Sequence, residues 1–346
     1  KLRTRRFPTR NIETLVSFLS EEPTTEAKEE DRVEIKLSFP KFKDFPSSIY
    51  GHTVDARTPL EAWKEVMYLI DRFGVNVQLP GERRRVLFNV RVNIENAGVE
   101  EDALLREHGF DPDDLRAYRQ AMLDANLGDQ RYTYGNRIRA HWGDDALDKV
   151  VGLLKEEDSP RQAFIALWDT ATDLLQERAR PCLTDIYFTR HNAVLDLTAS
   201  FRTHNADSAW LFNVYGLRAI QEHVSSKFGF AMPAHHLTVF SRWINIDPDS
   251  GRTKAALDVV NSRRRRPLEV NDPRGYFVVG IGDKEIVVEH YHPTGTLVET
   301  YKGPTAGSLK DQLRLANAIS DPDHAMWIGY QLDRAEQKLR GKIQEL

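Results

Sequence analysis

Residues 181–201 read PCLTDIYFTRHNAVLDLTASF, and this stretch decides the fold of the central part of the chain. Apolar and polar residues alternate over Thr184–Thr189 and again over Asp196–Phe201, as in strands with one buried face. A short polar turn separates the two runs, so the sequence predicts a β-hairpin. Since the far ends of a hairpin lie side by side, we expect Cys182 and Arg202 to be spatial neighbours.

Cys182 is the only cysteine of the chain and directly follows Pro181. Asn213 lies eleven residues after Arg202, near the start of a helix predicted over Trp210–Lys227. Chemistry on a pyrimidine ring needs these three groups. A thiol attacks an electron-poor ring carbon, a guanidinium lowers the thiol pKa and binds a phosphate, and a carboxamide pairs with the ring edge.

Each of these residues also has an ordinary structural interpretation. A lone cysteine is more often a small buried apolar residue than a nucleophile. Arg202 can form a surface ion pair, and Asn213 can cap or pack its helix. If Asn213 does read a base, its one donor and one acceptor complement the oxygen 4 and nitrogen 3 edge of uracil, and this favours uracil over cytosine.

Composition limits the classes of function. The 346 residues include 48 Lys and Arg against 52 Asp and Glu, a net charge of -4, so no overall field attracts nucleic acid or an anionic membrane. One cysteine excludes an internal disulfide and fits a reducing cytoplasm. No apolar run approaches the roughly 20 residues of a membrane span, and we expect no membrane partner, no nucleic-acid partner and no secretory signal.

The chain is expected to have two parts. Residues 1–32 are charged and rich in Pro, Thr and Glu, and they predict an N-terminal extension with some mobility. Interleaved strands and helices predict an α+β domain over 33–346, with a mixed sheet and helices packed on one side. Its predicted parts are a divergent N-terminal part (33–128), a catalytic core (129–250) and C-terminal strands and helices (267–346).

The spacing of apolar residues predicts the individual elements. Expected helices are Ile12–Leu19, Pro59–Phe73, Asp113–Ala125, Phe164–Arg178, Ser308–Ile319 and Ala325–Arg340. Further expected strands are Val33–Leu37, Val86–Ile94, Tyr276–Ile281 and Glu285–Tyr291, the last two joined by a hairpin at Gly282–Lys284.

Four motifs follow one another over residues 132–213. They are Tyr132–Arg137, Ser159–Ala163 with Leu167–Asp169 after it, Pro181-Cys182, and Phe201–Asn213. Their order and spacing resemble the thymidylate synthase family. The sequences of Arg202–Leu217 and of residues 272–277 and 324–329 are similar to its archaeal-type branch. The resemblance implies a thymidylate-synthase-like fold and a homodimer packed sheet to sheet.

The resemblance also implies a role for each matching residue. Cys182 would be the nucleophile, Arg202 its cationic helper, and Tyr134 would order the water that moves the carbon 5 proton. Arg161 would reach the phosphate bound by the other subunit, and Gln162 stands where the family has a second arginine. An ordinary core tyrosine and a surface ion pair remain alternatives for Tyr134 and Arg161.

Other family positions are changed in this chain. Asn205 stands where the family has an aspartate that helps to bind folate. Trp243 and Asn245 stand where a His-x-Tyr pair reads the sugar hydroxyl. The catalytic glutamate has no aligned counterpart, although Glu82 and Glu95 lie in the appropriate region.

By resemblance, the first hypothesis is reductive methylation of dUMP at carbon 5, with 5,10-methylene-tetrahydrofolate or a related pterin as co-substrate and no metal. A hydroxymethylase of a pyrimidine nucleotide is the alternative, because positions 205, 243 and 245 are changed. A non-catalytic nucleotide or RNA binder is a third hypothesis, suggested by the basic run Arg263–Arg266 and the N-terminal extension.

Overall fold

The computed structural model describes residues 51–95, 98, 100–156, 161–177, 179–191, 194–228, 234–263 and 272–341. The expected extension over 1–32, the strand at Val33–Leu37 and most of the basic run lie outside these residues. The chain divides into two compact units with a boundary between residues 256 and 257. This boundary falls between the expected catalytic core and the expected C-terminal part.

The described residues of the first unit form strands and helices in alternation. The strands are β1 (His52–Ala56), β2 (Val75–Leu79), β3 (Glu82–Ile94), β4 (Phe164–Ala166), β5 (Leu183–His191), β6 (Val194–Phe201), β7 (His204–Asn205) and β8 (Ala234–Ile246). The helices are α1 (Pro59–Phe73), α2 (Asp102–Glu107), α3 (Pro112–Ala121), α4 (Tyr134–Arg139), α5 (Ala146–Glu156), α6 (Thr170–Asp173) and α7 (Trp210–Ser226). Helix α8 (Gly251–Arg263) contains the boundary.

The strands that the structure describes in the first unit all belong to one mixed sheet. Among the described residues its order is β1-β3-β8-β6-β5-β4, with β2 paired to β3 and β7 paired to β8. The pairs β1–β3, β6–β8 and β7–β8 are parallel, and the other pairs are antiparallel. The predicted α+β class with a mixed sheet is therefore confirmed.

Helices cover one face of this sheet. Along β6, Leu195, Leu197, Ala199 and Phe201 are buried, whereas the residues between them are half-buried or exposed. Helix α7 packs against β6 and β8, and α1 packs against β1, β3 and β8. The burial pattern follows from strand geometry, because successive side chains point to opposite faces.

Helix α1 begins and ends where its local signals predict. The Thr58 side chain accepts a hydrogen bond from the Glu61 backbone N–H at 3.3 Å, Pro59 occupies the first turn, and Gly74 follows the last residue. On its buried face, the Trp63 indole N–H donates to the carbonyl of Ala206 at 2.9 Å. This bond holds the segment after β7 against the helix.

The predicted helix at Phe164–Arg178 is wrong. Residues 164–166 form β4, which pairs antiparallel with β5, and among residues 164–177 only Thr170–Asp173 is helical. Asp169 caps this short helix by accepting from the Ala171 N–H at 3.0 Å. The apolar spacing that indicated a long helix is also compatible with a short strand that buries only Ile165, and pairing with β5 selects the strand.

The second unit contains a three-stranded antiparallel sheet, β9 (Tyr276–Ile281), β10 (Ile286–Tyr291) and β11 (Leu297–Gly303). Helices α9 (Ala306–Leu315) and α10 (Pro322–Leu339) share one core with it, which includes Ile286, Val288 and Leu309. The predicted β9–β10 hairpin is confirmed, whereas β11 was not expected. In the part of the chain that the structure describes, no helix is both long and apolar enough to cross a membrane.

Candidate active site

The β5–β6 hairpin brings Cys182 and Arg202 together, as its sequence predicts. Leu183 pairs with Phe201, so Cys182 and Arg202, the next residues outward, lie opposite one another where the strands end. The Arg202 backbone N–H donates to the carbonyl of Cys182 at 2.9 Å. The Arg202 Nη2 atom lies 3.9 Å from the Cys182 sulfur.

The Arg202 guanidinium is held by the backbone that precedes the cysteine. Its Nε donates to the carbonyl of Pro181 at 2.8 Å, and Nη2 donates to the carbonyl of Arg180 at 3.1 Å. Its plane lies over the indole of Trp168, with 5.5 Å between Cζ and the ring centroid. These contacts fix the cation beside the sulfur before any substrate binds.

The pKa of the Cys182 thiol is raised. Burial is the main cause, because it disfavours the thiolate, while the charge of Arg202 and a hydrogen bond from Tyr134 act in the opposite direction. Arg202 thus lowers the thiol pKa as expected, but its effect is smaller than that of burial. The resting site holds a protonated thiol beside a fixed cation.

Tyr134 lies against the cysteine from α4. Its hydroxyl oxygen accepts hydrogen bonds from the backbone N–H groups of Cys182 at 3.3 Å and Leu183 at 3.2 Å. Burial raises its pKa well above the usual range, so the phenol stays protonated. Gly135 permits this position, because a Cβ there would lie 2.2 Å from the carbonyl oxygen of Asp124.

An open pocket of about 320 Å³ contains the sulfur. It is lined by Leu79, Glu82, Arg84, Tyr134, Cys182, Thr203, His204, Asn205, Ala209, Asn213, Trp243 and Asn245. Six of the expected site residues are therefore in the lining, and Arg202 contacts the sulfur from beside it. Arg161 and Gln162 are exposed in a turn before β4 and do not line this pocket.

Asn213 lies in the first turn of α7 and belongs to a chain of buried polar groups. Its Oδ1 is 2.5 Å from the hydroxyl of Tyr118, and its Nδ2 is 2.8 Å from Nε2 of His204. The other ring nitrogen of His204, Nδ1, is 3.0 Å from the hydroxyl of Ser241. Burial lowers the pKa of His204 to about 3, so its ring is neutral.

The remaining expected residues form the wall beside Asn213. Asn205 accepts a hydrogen bond from the Asp207 N–H at 3.2 Å, and Asn245 donates to the carbonyl of His204 at 2.8 Å. Trp243 packs edge-on against Phe88 and also lines the pocket. The Asn245 amide is thus partly used in supporting β7.

Three lining residues from the β2–β3 hairpin were not expected as a group. Glu82 and Arg84 form an ion pair at the pocket, and this pairing is the main reason that the Arg84 pKa is raised. Leu79 lies at the other side of the turn. The alternating run 75–79 followed by Pro80-Gly81 was the available signal for this hairpin. Glu95, the other glutamate considered, is not in the lining.

The chain is similar over about half of its length to two proteins that share one provisional name. A protein of Methanopyrus kandleri with the provisional name thymidylate synthase is 30% identical over 188 residues, which is 54% of this chain and 87% of that protein. A protein of Methanosarcina barkeri with the same provisional name is 28% identical over 182 residues, 52% of this chain and 82% of that protein.

Two further matches concern smaller parts of the chain. A deoxyuridylate hydroxymethyltransferase of Pseudomonas phage M6 is 34% identical over 89 residues, 25% of this chain and 24% of that protein. The family described as PterinBD-DUF4346 matches residues 271–344, within the second unit. On the extent of the match to the Methanopyrus protein, the chain belongs to the thymidylate synthase family.

Proposed function

We propose that this protein transfers a one-carbon unit to carbon 5 of dUMP, with reductive methylation as the complete reaction. The observation that carries the proposal is the half-buried Cys182 sulfur, 3.9 Å from the fixed Arg202 guanidinium, in an open pocket whose wall contains Asn213. The relatives named thymidylate synthase and deoxyuridylate hydroxymethyltransferase support a one-carbon transferase.

In this proposal Cys182 provides covalent catalysis. Uracil carbon 5 is a poor nucleophile. The Cys182 thiol first gives its proton to solvent water in the open pocket. Addition of the resulting thiolate at carbon 6 then forms a carbon–sulfur bond and an enolate that makes carbon 5 reactive. Carbon 5 attacks the one-carbon unit and then loses its proton as the donor amine leaves, which gives an exocyclic methylene on carbon 5. Hydride adds to this methylene, and the carbon–sulfur bond breaks to release the thiolate. Arg202 stabilises the thiolate at both ends of this sequence, and Tyr134 orders the water that accepts the proton.

Substrate recognition is assigned to residues around the sulfur. Asn213 pairs with nitrogen 3 and oxygen 4 of the ring, since a carboxamide offers one donor and one acceptor to that edge. Arg202 retains N–H groups that can bind the 5'-phosphate beside the thiol. Arg161 of a second copy would add a further contact to that phosphate.

A folate-type co-substrate would supply both the carbon and the hydride. The pocket wall beyond the cysteine fits such a molecule: Trp243 offers an aromatic face, Asn205 offers a carboxamide, and Arg84 offers a cation for carboxylates. The match of residues 271–344 to the PterinBD-DUF4346 family also fits a pterin co-substrate.

We further propose a homodimer formed through the sheet. The face of the first unit's sheet that α1 and α7 leave open carries half-buried Tyr187, Thr238 and Phe240 beside exposed Thr198. Packing this face on a second copy would bury these side chains. It would also bring Arg161 near the partner's phosphate site, as the family's arrangement implies.

Hydroxymethylation is the second candidate, and the match to the phage deoxyuridylate hydroxymethyltransferase favours it. In that reaction water, rather than hydride, adds to the exocyclic methylene on carbon 5. In the pocket wall, Trp243 and Asn245 replace the family's His-x-Tyr, and this difference from the methylating family also favours hydroxymethylation.

Tritium release from dUMP labelled at carbon 5, with methylene-tetrahydrofolate present, tests the proposal. Reductive methylation predicts release together with dihydrofolate absorbance, and hydroxymethylation predicts release without it. Cys182→Ala should abolish release. Failure of the wild-type protein to release tritium would contradict one-carbon transfer, and nucleotide binding that is unaffected by Cys182→Ala would then indicate a non-catalytic binder.

A further inference from the structure

Four side chains from four different elements, three of them buried and Tyr118 half-buried, form one hydrogen-bonded chain behind the pocket. Tyr118 of α3, Asn213 of α7, His204 of β7 and Ser241 of β8 follow one another with separations of 2.5, 2.8 and 3.0 Å. Ser241 is fully buried, and His204 and Asn213 are exposed by only 2% and 4%. We refer to these residues as the relay.

Every member of the relay can act as donor or acceptor. Hydroxyl groups rotate, a neutral imidazole has two tautomers, and a carboxamide can turn over by half a rotation. The relay therefore has two directions. In one, Tyr118 donates to Asn213, Asn213 donates to His204, and His204 donates to Ser241. In the other direction all three bonds are reversed, and the nitrogen and oxygen of Asn213 exchange places.

The contacts favour the direction that starts at Tyr118. The phenol is largely buried and its pKa is raised, mainly by burial, so it keeps its proton. A phenol is also a better donor than acceptor, which favours Asn213 Oδ1 as its partner. The amide nitrogen then faces Nε2 of His204, which must accept, and the imidazole proton lies on Nδ1 and points to Ser241.

The direction of the relay matters because Asn213 also lines the pocket. The two bonds that Asn213 makes in the relay together use one lone pair, towards Tyr118, and one N–H, towards His204. The other lone pair and the other N–H of the carboxamide remain for a ligand. Uracil presents a donor at nitrogen 3 and an acceptor at position 4, whereas cytosine presents the opposite order. Turning the carboxamide over would exchange one complementarity for the other.

We propose that His204 is a positioning residue that makes the pocket select the uracil edge over the cytosine edge. It does so through its Nδ1–H tautomer, which is held between Ser241 and Asn213. Tyr118 in turn orients Asn213. The inference rests on the proposed nucleotide-binding function of the pocket and assigns its base selectivity to residues outside direct ligand contact. His204 acts through Asn213 and takes no part in the covalent steps.

The tautomer can be measured without any nucleotide. Long-range proton–nitrogen spectra of protein labelled with ¹⁵N-histidine would resolve the ring nitrogens of the 11 histidines, and His204→Gln would identify the signal of His204. The proposal expects a neutral ring with the proton on Nδ1 in the wild-type protein. A proton on Nε2, or a charged ring at neutral pH, would overturn it.

Base selectivity is tested with Tyr118→Phe and Ser241→Ala, which remove a hydroxyl at each end of the relay. Calorimetry with dUMP and dCMP should show that the ratio of their dissociation constants moves towards cytosine by about tenfold to a hundredfold, the discrimination expected for bidentate reading of a base edge. Tyr215→Phe is the matched control. Tyr215 lies on α7 but outside the relay, and its buried hydroxyl accepts a hydrogen bond from the Glu100 N–H.

The outcomes separate this inference from the proposed function. If the wild-type protein binds uracil nucleotides and both relay variants keep the wild-type ratio, the relay does not set selectivity and the inference is wrong. If the wild-type protein binds neither nucleotide, the proposed function fails, and with it the assignment of selectivity. The tautomer spectrum then still reports whether the relay has the direction inferred for it.

Discussion

Replacing Arg202 by glutamine removes the guanidinium that lies 3.9 Å from the Cys182 sulfur while leaving a side chain that can still donate to the neighbouring carbonyls. Two opposite charges at this distance interact by about 1 kcal/mol in bulk water and about 4 kcal/mol at the effective dielectric constant of a protein surface. Since one pKa unit corresponds to about 1.4 kcal/mol, Arg202→Gln should raise the thiol pKa by roughly one to three units. The fraction of thiolate at neutral pH should fall accordingly.

The lone cysteine makes this measurement direct, because alkylation by iodoacetamide reports on Cys182 alone. The rate, followed by intact mass from neutral to alkaline pH, gives the thiol pKa of each variant. Arg202→Lys should show a smaller rise, since it keeps the charge but cannot make both carbonyl contacts. Arg116→Gln removes an exposed guanidinium that pairs with Asp102 and should leave the thiol pKa unchanged. Equal pKa values in the wild-type and Arg202→Gln proteins would refute the electrostatic role of Arg202.

Three further predictions concern other parts of the first unit. Asp173→Asn leaves the buried guanidinium of Arg137 without its partner carboxylate. It should therefore lower the free energy of unfolding, measured in urea, by about 3–5 kcal/mol, and a loss below about 1 kcal/mol would contradict this. Tyr134→Phe should lower kcat about a hundredfold and change the dissociation constant of dUMP little, so an unchanged kcat would exclude a role in proton transfer. The pKa of His204 is about 6.5 in the unfolded chain and about 3 in the folded protein, so at intermediate pH only the unfolded chain binds the proton. The contribution of neutral His204 to the free energy of unfolding is therefore complete above pH 6.5 and is lost as the pH falls from 6.5 towards 3. Urea unfolding at several pH values should show a flatter acid limb in His204→Gln, and identical limbs would show that this group does not titrate as stated.

Elements with strong local signals could be predicted from the sequence. Helix α1 carries a capping threonine, a first-turn proline and a terminal glycine within 17 residues, and its observed bounds are the predicted ones. The β5–β6 hairpin could be predicted equally well, because two alternating runs joined by a short turn pair most simply as neighbouring antiparallel strands. From that pairing alone the proximity of Cys182 and Arg202 follows.

Elements that depend on distant partners were predicted less well. The segment Phe164–Ala166 is a strand because β5 lies beside it, and nothing in its own residues distinguishes this edge strand from a helix. In the same way, Arg84 and Glu82 reach the pocket because the β2–β3 hairpin folds beside β8. Their position depends on a sheet assembled from segments far apart in the chain.

The relay shows the same limit within the site. His204 stands two residues after Arg202, yet no role could be assigned to it from the sequence. Its partner Ser241 is 37 residues away, and Tyr118, which orients its other partner Asn213, is 86 residues away. Family resemblance pointed to Asn213 but not to the groups that orient it. Those groups became visible only with the packing of α3, α7 and β8.

The proposed reaction depends on a covalent bond between the Cys182 sulfur and a pyrimidine ring. Intact mass after incubation with 5-fluoro-dUMP and methylene-tetrahydrofolate tests this most directly, because fluorine at carbon 5 cannot leave as a proton would, and the adduct persists. We expect a mass increase equal to nucleotide plus co-substrate in the wild-type protein and none in Cys182→Ala. An adduct that survives in Cys182→Ala, or no adduct in a wild-type protein that binds the nucleotide, would contradict it.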